Sequence, residues 1–223
     1  MSELLFQDDS MKHNLSGKVF HILRERIIIG EYENGAELKE NTLAKELGIS
    51  RTPIREALRQ LELEGLVNII PNKGAVVVSL SKADIVDAYK IRSYIEGLCA
   101  NMACLHIQEE QLEKLEEIQL LFEFHMNKSH YDALLTLDDQ FHLMIYEASN
   151  SRMLKHVLTD LHEYTLRVRK ITLADKERIQ TCAKEHEAIL NALRIKDSAL
   201  AEELAREHVL KTIDNLAQKN ILG

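Results

Sequence analysis

Helix-breaking residues are gathered at one end of this chain. Both prolines and six of the eight glycines (Gly17, Gly30, Gly35, Gly48, Gly65, Gly74) precede residue 75. Glycine costs ~1 kcal/mol and proline ~3 kcal/mol in a helix interior, so the long remainder, nearly free of both, reads as successive helices. The chain therefore divides into a tail at residues 1–12, a mixed segment at 13–78 and an all-helical segment at 79–223. Apolar residues make up 45% of it, enough to supply a core to each segment.

In the mixed segment an amphipathic helix is expected over 15–29, then short helices over 40–47 and 51–64, stopped by Gly48 and Gly65. Ser50 stands where an N-cap belongs, and Pro53 falls in the first turn, where its missing N–H costs nothing. The runs LVNII and AVVV flank the turn Pro71-Asn72-Lys73-Gly74 and read as a small β-hairpin. Helix, helix, turn, helix and hairpin, in that order, form a winged helix-turn-helix: three helices plus a small hairpin. Leu43, Ala44, Leu47, Ile49, Ile54 and Leu58 would form its core.

The third of these helices carries Arg51, Arg55 and Arg59 one turn apart, with Thr52 at its N-terminal end. Guanidiniums on a helix N-terminus suit phosphates and guanine edges in the major groove of DNA. The hairpin turn at Lys73 and Gly74 is placed to reach the adjacent groove. The same arginines could instead pair with Glu56 and Glu62 on a solvated face. Net charge is −8, and acidic residues outnumber basic ones on both sides of residue 75. Any DNA contact must come from basic groups that are focused rather than abundant.

The second segment resolves into six helices, near 82–105, 108–127, 131–148, 151–171, 175–195 and 197–219, with Ser, Asn or Asp at most joints. Short joints make antiparallel neighbours, and the expected architecture is an antiparallel six-helix bundle in a mainly α protein. Several inward stripes carry polar residues. Leu134, Asp138, Phe141, His142 and Ile145 share one face, as do Cys182, His186, Ile189 and Leu193, and as do Leu200, Leu204 and His208. One carboxylate and three imidazoles in an interior are costly unless satisfied. Hydrogen bonds would do it, and so would a divalent metal: three nitrogens and one oxygen suit Zn, Ni, Mn, Fe or Co. His106, His125, His130 and His156 read as surface residues. Arg92 lies on the stripe Ile85, Ala88, Arg92, Ile95, Cys99 and points inward. Its partner would be Glu96 or Asp138, or the carboxylate of a bound effector.

No apolar run approaches the ~20 residues of a membrane span, and the opening MSELLFQDDS lacks the pattern of a secretory signal. Three cysteines without CxxC spacing read as free thiols in a reducing compartment, the cytoplasm.

Residues 35–77, from Gly35 through the LAKELGISRTPIREAL core to Val77, resemble the GntR family of bacterial regulators. That resemblance implies a winged helix that binds a palindromic operator as a homodimer. It also implies DNA contacts at Ser50, Arg51, Thr52, Arg55 and the wing tip, Lys73 and Gly74. Asn41 is a departure, standing where some members carry arginine. The pieces IRSYIEGLCANMA (91–103), DDQFHLMIYEASNSRML (138–154), EHEAILNAL (185–193) and AREHV (205–209) are similar to the FCD ligand-binding domain of the FadR-type branch. The resemblance implies metal ligands at Asp138, His142, His186 and His208, and an effector that is a small carboxylate or sugar acid. The expected function is a transcriptional regulator, a repressor, rather than an enzyme. A rival reading has the His/Asp set activating water, but no separate base is in a suitable setting. Two other rivals are a regulator answering to the metal itself and a metal-free acyl-ligand sensor, which the intact set of four ligands disfavours.

Overall fold

The structure is a computed structural model describing residues 12–71, 73–78 and 81–218. The expected tail at 1–12 and Asn72 of the wing turn lie outside these, save Lys12. Internal contacts divide the chain into two units, one through Ser81 and one from Lys82.

The first unit contains α1 (Lys12–Ile28), β1 (Glu37–Leu38), α2 (Glu40–Leu47), α3 (Arg51–Leu63), β2 (Val67–Ile70) and β3 (Gly74–Val77). The apolar residues of α3 recur at helical spacing, and Ile54, Ala57, Leu58 and Leu61 are buried with Val19, Leu23 and Ile27 of α1. Of the expected core, Leu43, Ile54 and Leu58 are buried, while Ala44, Leu47 and Ile49 are half-buried. The hairpin gains a third strand that the sequence reading omits: β1 pairs antiparallel with β3, giving the order β1-β3-β2. Two residues are too few to show an alternating pattern. Gly74 sits at φ +100°, and a Cβ there would stand 2.8 Å from the Leu38 carbonyl oxygen. Only glycine lets the wing turn close against β1.

The second unit contains α4 (Lys82–His106), α5 (Glu109–Lys128), α6 (Tyr131–Ala148), α7 (Arg152–Tyr164), α8 (Leu166–Thr172), α9 (Lys176–Arg194) and α10 (Ser198–Gln218). It is a helical bundle, and five of the six expected helices fall within a residue or two of their places. The expected helix over 151–171 is broken at Thr165, which separates α7 from α8. Thr165 is buried, and its hydroxyl donates to the His162 carbonyl (3.0 Å) while accepting from Arg92 Nη1 (3.0 Å). That local bond competes with helix continuation. The helix α10 lies along α4 closely enough that a Cβ on Gly97 would sit 3.0 Å from the Glu202 carbonyl oxygen. This approach brings the face of α4 bearing Arg92 and Glu96 toward the face of α10 bearing His208.

Candidate operator-reading face and metal centre

On α3 the buried positions Pro53, Ile54, Ala57 and Leu58 alternate with exposed Arg51, Thr52, Arg55 and Arg59. The helix thus shows its basic side to solvent. Ser50 is exposed and extended (φ −72°, ψ 165°) at the N-cap, but its hydroxyl makes no capping bond. Lys73 is exposed at the wing tip beside half-buried Gly74. The arginines do have an acidic partner, and it is Glu40, the first residue of α2, rather than Glu56 or Glu62. Arg55 Nε and Nη2 each donate to the Glu40 carboxylate at 2.8 Å, and Arg51 Nη2 reaches it at 3.2 Å. Glu62 instead accepts from the Ile69 backbone N–H at 2.7 Å. Arg55 holds the Glu40 carboxyl below its ordinary range despite slight desolvation, with Arg51 adding to the effect. One carboxylate thereby presets the spacing of two guanidiniums.

In the bundle, α6, α9 and α10 bring Asp138, His142, His186 and His208 together, all buried. Nitrogens of the three histidines lie within 4.8 Å of one another. Asp138 Oδ1 is 3.9 Å from His142 Nε2 and 3.7 Å from His186 Nε2. The stripes expected on α6 and α9 are buried throughout. The α10 stripe is less so: Leu200 is 37% exposed and Leu204 half-buried, because the buried face at that end of α10 is set by Ala201 and Ala205 beside them.

The next layer of groups fixes how these ligands point. His142 Nδ1 faces Glu96 Oε2 at 3.1 Å, and His208 Nδ1 faces Glu185 Oε2 at 2.8 Å. An imidazole that donates Nδ1–H to a carboxylate presents the lone pair of Nε2, the arrangement that orients metal-ligating histidines. Burial, and then His208 beside it, push the His186 imidazole well below its ordinary value. Burial likewise lowers His208, against the opposing pull of Glu185. Both rings are therefore neutral and able to ligate. Burial opposes the Asp138 charge, but His142 and Arg169 outweigh it and hold the carboxyl far below the usual range. Arg169 Nη1 takes Asp138 Oδ2 at 3.0 Å and so leaves Oδ1 toward the histidines. Neutral His186 and His208, the ionised Asp138 carboxylate and His142 held by Glu96 together fit a divalent cation.

A tight cavity of about 20 Å³, room for about one water-sized group, adjoins this set, lined by Asp138, His142 and His208 together with Arg92, Arg169 and Arg178. Arg92 is buried as expected, and the protein carboxylate it meets is Glu96, with Nε donating at 2.6 Å. Glu96 also accepts from the Tyr146 hydroxyl at 2.8 Å. Burial works against its charge, yet Arg92 and then His142 hold it well below the ordinary carboxylate value.

The sequence reading missed several members of the site. Arg169 bridges Asp138 and Asp139, and its Nε has no hydrogen-bond partner among the described residues. Arg178 donates to Glu185 (2.9 Å) and to the Thr212 hydroxyl (3.1 Å). His162 is buried against Asp139 at 2.9 Å, and burial followed by the Arg169 charge takes it down to about 3. His106, His130 and His156 are exposed as expected, whereas His125 is half-buried with its Nδ1 3.1 Å from that of His130. Burial, then the neighbouring Asp138 charge, push the Cys182 thiol well above its usual range.

A winged helix with an exposed basic recognition helix, carried on the same chain as a helical unit holding a polar cavity, defines a DNA-binding transcriptional regulator. Residues 15–77 match the model of bacterial regulatory proteins of the gntR family, and residues 87–211 match the FCD domain. The chain belongs to the gntR family, in its FCD-bearing form. It is 30% identical over 195 residues to the HTH-type transcriptional regulator YdhC of Bacillus subtilis, spanning 86% of this chain and 84% of that one. It is 28% identical over 188 residues to the gluconate operon transcriptional repressor of the same organism, spanning 82% and 77%. The solved structure of Escherichia coli McbR/YncC shares the fold, with a TM-score of 0.76 at 23% identity over 92% of this chain and 98% of that one. Among the described residues no helix is long and apolar enough to cross a membrane.

Proposed function

We propose that this regulator is a homodimeric, cytoplasmic repressor whose hold on a palindromic operator is set by a small carboxylate or sugar acid bound beside a divalent metal. The observation that carries this reading is the clustering of Asp138, His142, His186 and His208, the first two and the last of which line a cavity that also receives Arg92, Arg169 and Arg178. The four ligands would hold Zn, Ni, Mn, Fe or Co. When bound, such an ion supplies a Lewis-acidic anchor for an oxygen donor. The chain's own groups do the rest. Arg169 Nε offers a free donor to an anion, and Arg92 and Arg178 line the cavity with further positive charge. Glu96 and Glu185 keep the imidazoles turned toward the ion. The relative named for a gluconate operon supports a sugar acid as the class to test first.

On α3, Arg51 and Arg55 would read base edges, with Ser50, Thr52 and Arg59 contacting the backbone, and Lys73 and Gly74 would carry the wing. An acidic ligand that prefers one state of the bundle shifts operator affinity by its differential binding, typically ~1–3 kcal/mol.

The test combines elemental analysis of purified protein with operator binding by fluorescence anisotropy, with and without gluconate and related hydroxy acids. Stoichiometric metal, and an acid that changes operator affinity only when metal is present, are the expected results. An acid response that survives in the metal-stripped protein and in His186→Ala would overturn the metal-anchored effector. An operator response to metal alone would favour the ion as the signal.

A further inference from the structure

A fifth potential donor faces the candidate metal centre. We propose that Cys182 ligates the ion as a thiolate and makes the centre selective for zinc-class metals over hard ions such as manganese. This rests on the metal centre proposed above and deepens it.

Cys182 and His186 are one turn apart on α9, so their side chains share a face. Cys182 Sγ lies 3.5 Å from His186 Nε2 and 3.9 Å from Asp138 Oδ1. Asp138, Cys182 and His186 form a donor triad that overlaps the triad of His142, His186 and His208, and all of these residues are buried. Zinc–sulfur and zinc–nitrogen bonds of ~2.3 and ~2.0–2.1 Å at a tetrahedral angle put S and N about 3.6 Å apart. Sγ and Nε2 therefore already stand at the separation of two ligands of one ion. The other two thiols behave differently. Cys99 Sγ lies 3.8 Å from the Ile145 carbonyl and Cys104 Sγ 3.7 Å from the Ala192 carbonyl, so both are spent on backbone. Cys182 also lines the cavity, where it meets ligand atoms instead.

The chemistry balances without an oxidant. The S–H bond breaks as the sulfur–metal bond forms, and the proton leaves to solvent. Thiolate is a soft donor that selects Zn and its neighbours, whereas Mn gains little from it and keeps to oxygen and nitrogen.

The test is to load the full chain with cobalt(II), with metal content measured in parallel. The wild-type protein should show an intense near-ultraviolet sulfur-to-cobalt charge-transfer band. The band should vanish in Cys182→Ser and persist in Cys99→Ser and Cys104→Ser. Zinc affinity of Cys182→Ser should fall by at least the ~10–100-fold that follows loss of an outer-shell partner, with manganese affinity unchanged. Stoichiometric cobalt in the wild type without the band overturns the thiolate and leaves the His/Asp centre standing. Failure of the wild type to bind cobalt overturns the centre and the thiolate together. The wild-type spectrum decides the question even if a variant fails to fold.

Discussion

Glu185→Gln separates a group that serves the metal from one that serves the fold. Glu185 Oε2 accepts from His208 Nδ1 at 2.8 Å and from Arg178 Nη1 at 2.9 Å, while exposed Lys211 approaches Oε1 at 3.6 Å. Removing one partner of a buried ion pair costs ~3–5 kcal/mol. Glutamine keeps the volume and an acceptor oxygen, and a neutral bond is worth roughly half a charge-assisted one. The lost Lys211 contact, half-exposed, adds at most ~1 kcal/mol. We expect a net destabilisation of about 2 kcal/mol, or roughly 4–8 °C in melting temperature at ~2–4 °C per kcal/mol for a chain of this size. Loss of the carboxylate behind His208 should also weaken metal binding by ~10–100-fold, equal to about 1.4–2.7 kcal/mol. Burial opposes the Glu185 charge, but His208 and Arg178 hold its carboxyl below the ordinary value. Its stabilisation is thus present above the unfolded value of about 4.3 and lost as pH falls through the lower folded value. Wild type and variant should converge in strong acid. The assays are chelator competition for zinc and calorimetry across pH. Zinc affinity within twofold of wild type, with the expected loss of melting temperature, would refute the orienting role and leave Glu185 as a partner of Arg178 alone.

Arg51→Ala and Arg55→Ala should each weaken operator binding by roughly 1–3 kcal/mol, and unchanged anisotropy in the double variant would remove α3 as the reading helix. Lys73→Ala should weaken all DNA sequences alike and lower the salt slope by about one; a sequence-dependent loss would contradict a phosphate contact. Glu40→Gln should release Arg51 and Arg55, tightening binding to random DNA by up to ~1 kcal/mol while narrowing the margin between operator and random DNA; an unchanged margin would dismiss the presetting role. Metal-free protein should lose stability below pH about 6.5, by up to ~1.4 kcal/mol per pH unit for each of His162, His186 and His208. All three are held neutral by burial, and the His162 contribution continues down to about pH 3. A melting temperature flat from pH 7 to 4 would contradict that burial.

The bundle ligands were legible because a helical period projects Asp138, His142 and His186 onto stripes whose other members are apolar, and those stripes are buried as read. Arg169 and His162 were not legible for a definite reason. Both keep the helical spacing of buried Leu158, Thr165 and Thr172, but arginine and histidine on such a stripe are ordinarily read as exposed or intermediate. The Thr165 hydroxyl that bonds the His162 carbonyl at the break also accepts from Arg92, 73 positions earlier, and local patterns do not reach that far. Arg178 and Glu185 were passed over because charged residues are ordinarily exposed, although with Cys182 they keep the helical spacing of the His186 face. In the first unit, Arg51 and Arg55 were found from their spacing. Their true partner was not, because Glu40 belongs to a neighbouring helix 15 positions from Arg55.

Three guanidiniums (Arg92, Arg169, Arg178) and three carboxylates (Glu96, Asp138, Glu185) are buried in the second unit among the described residues. Their formal charges cancel. A divalent ion entering that neutral interior brings two positive charges with no counter-charge of its own, and a low-dielectric setting makes such an excess costly. The Cys182 thiolate proposed above offsets one of the two charges, and an effector carboxylate offsets the other. Ion and acid should therefore bind with positive linkage, each raising the other's affinity by the same factor. At metal levels too low to fill the site alone, the acid would recruit the ion, and the regulator would respond to the two together, as a coincidence detector does.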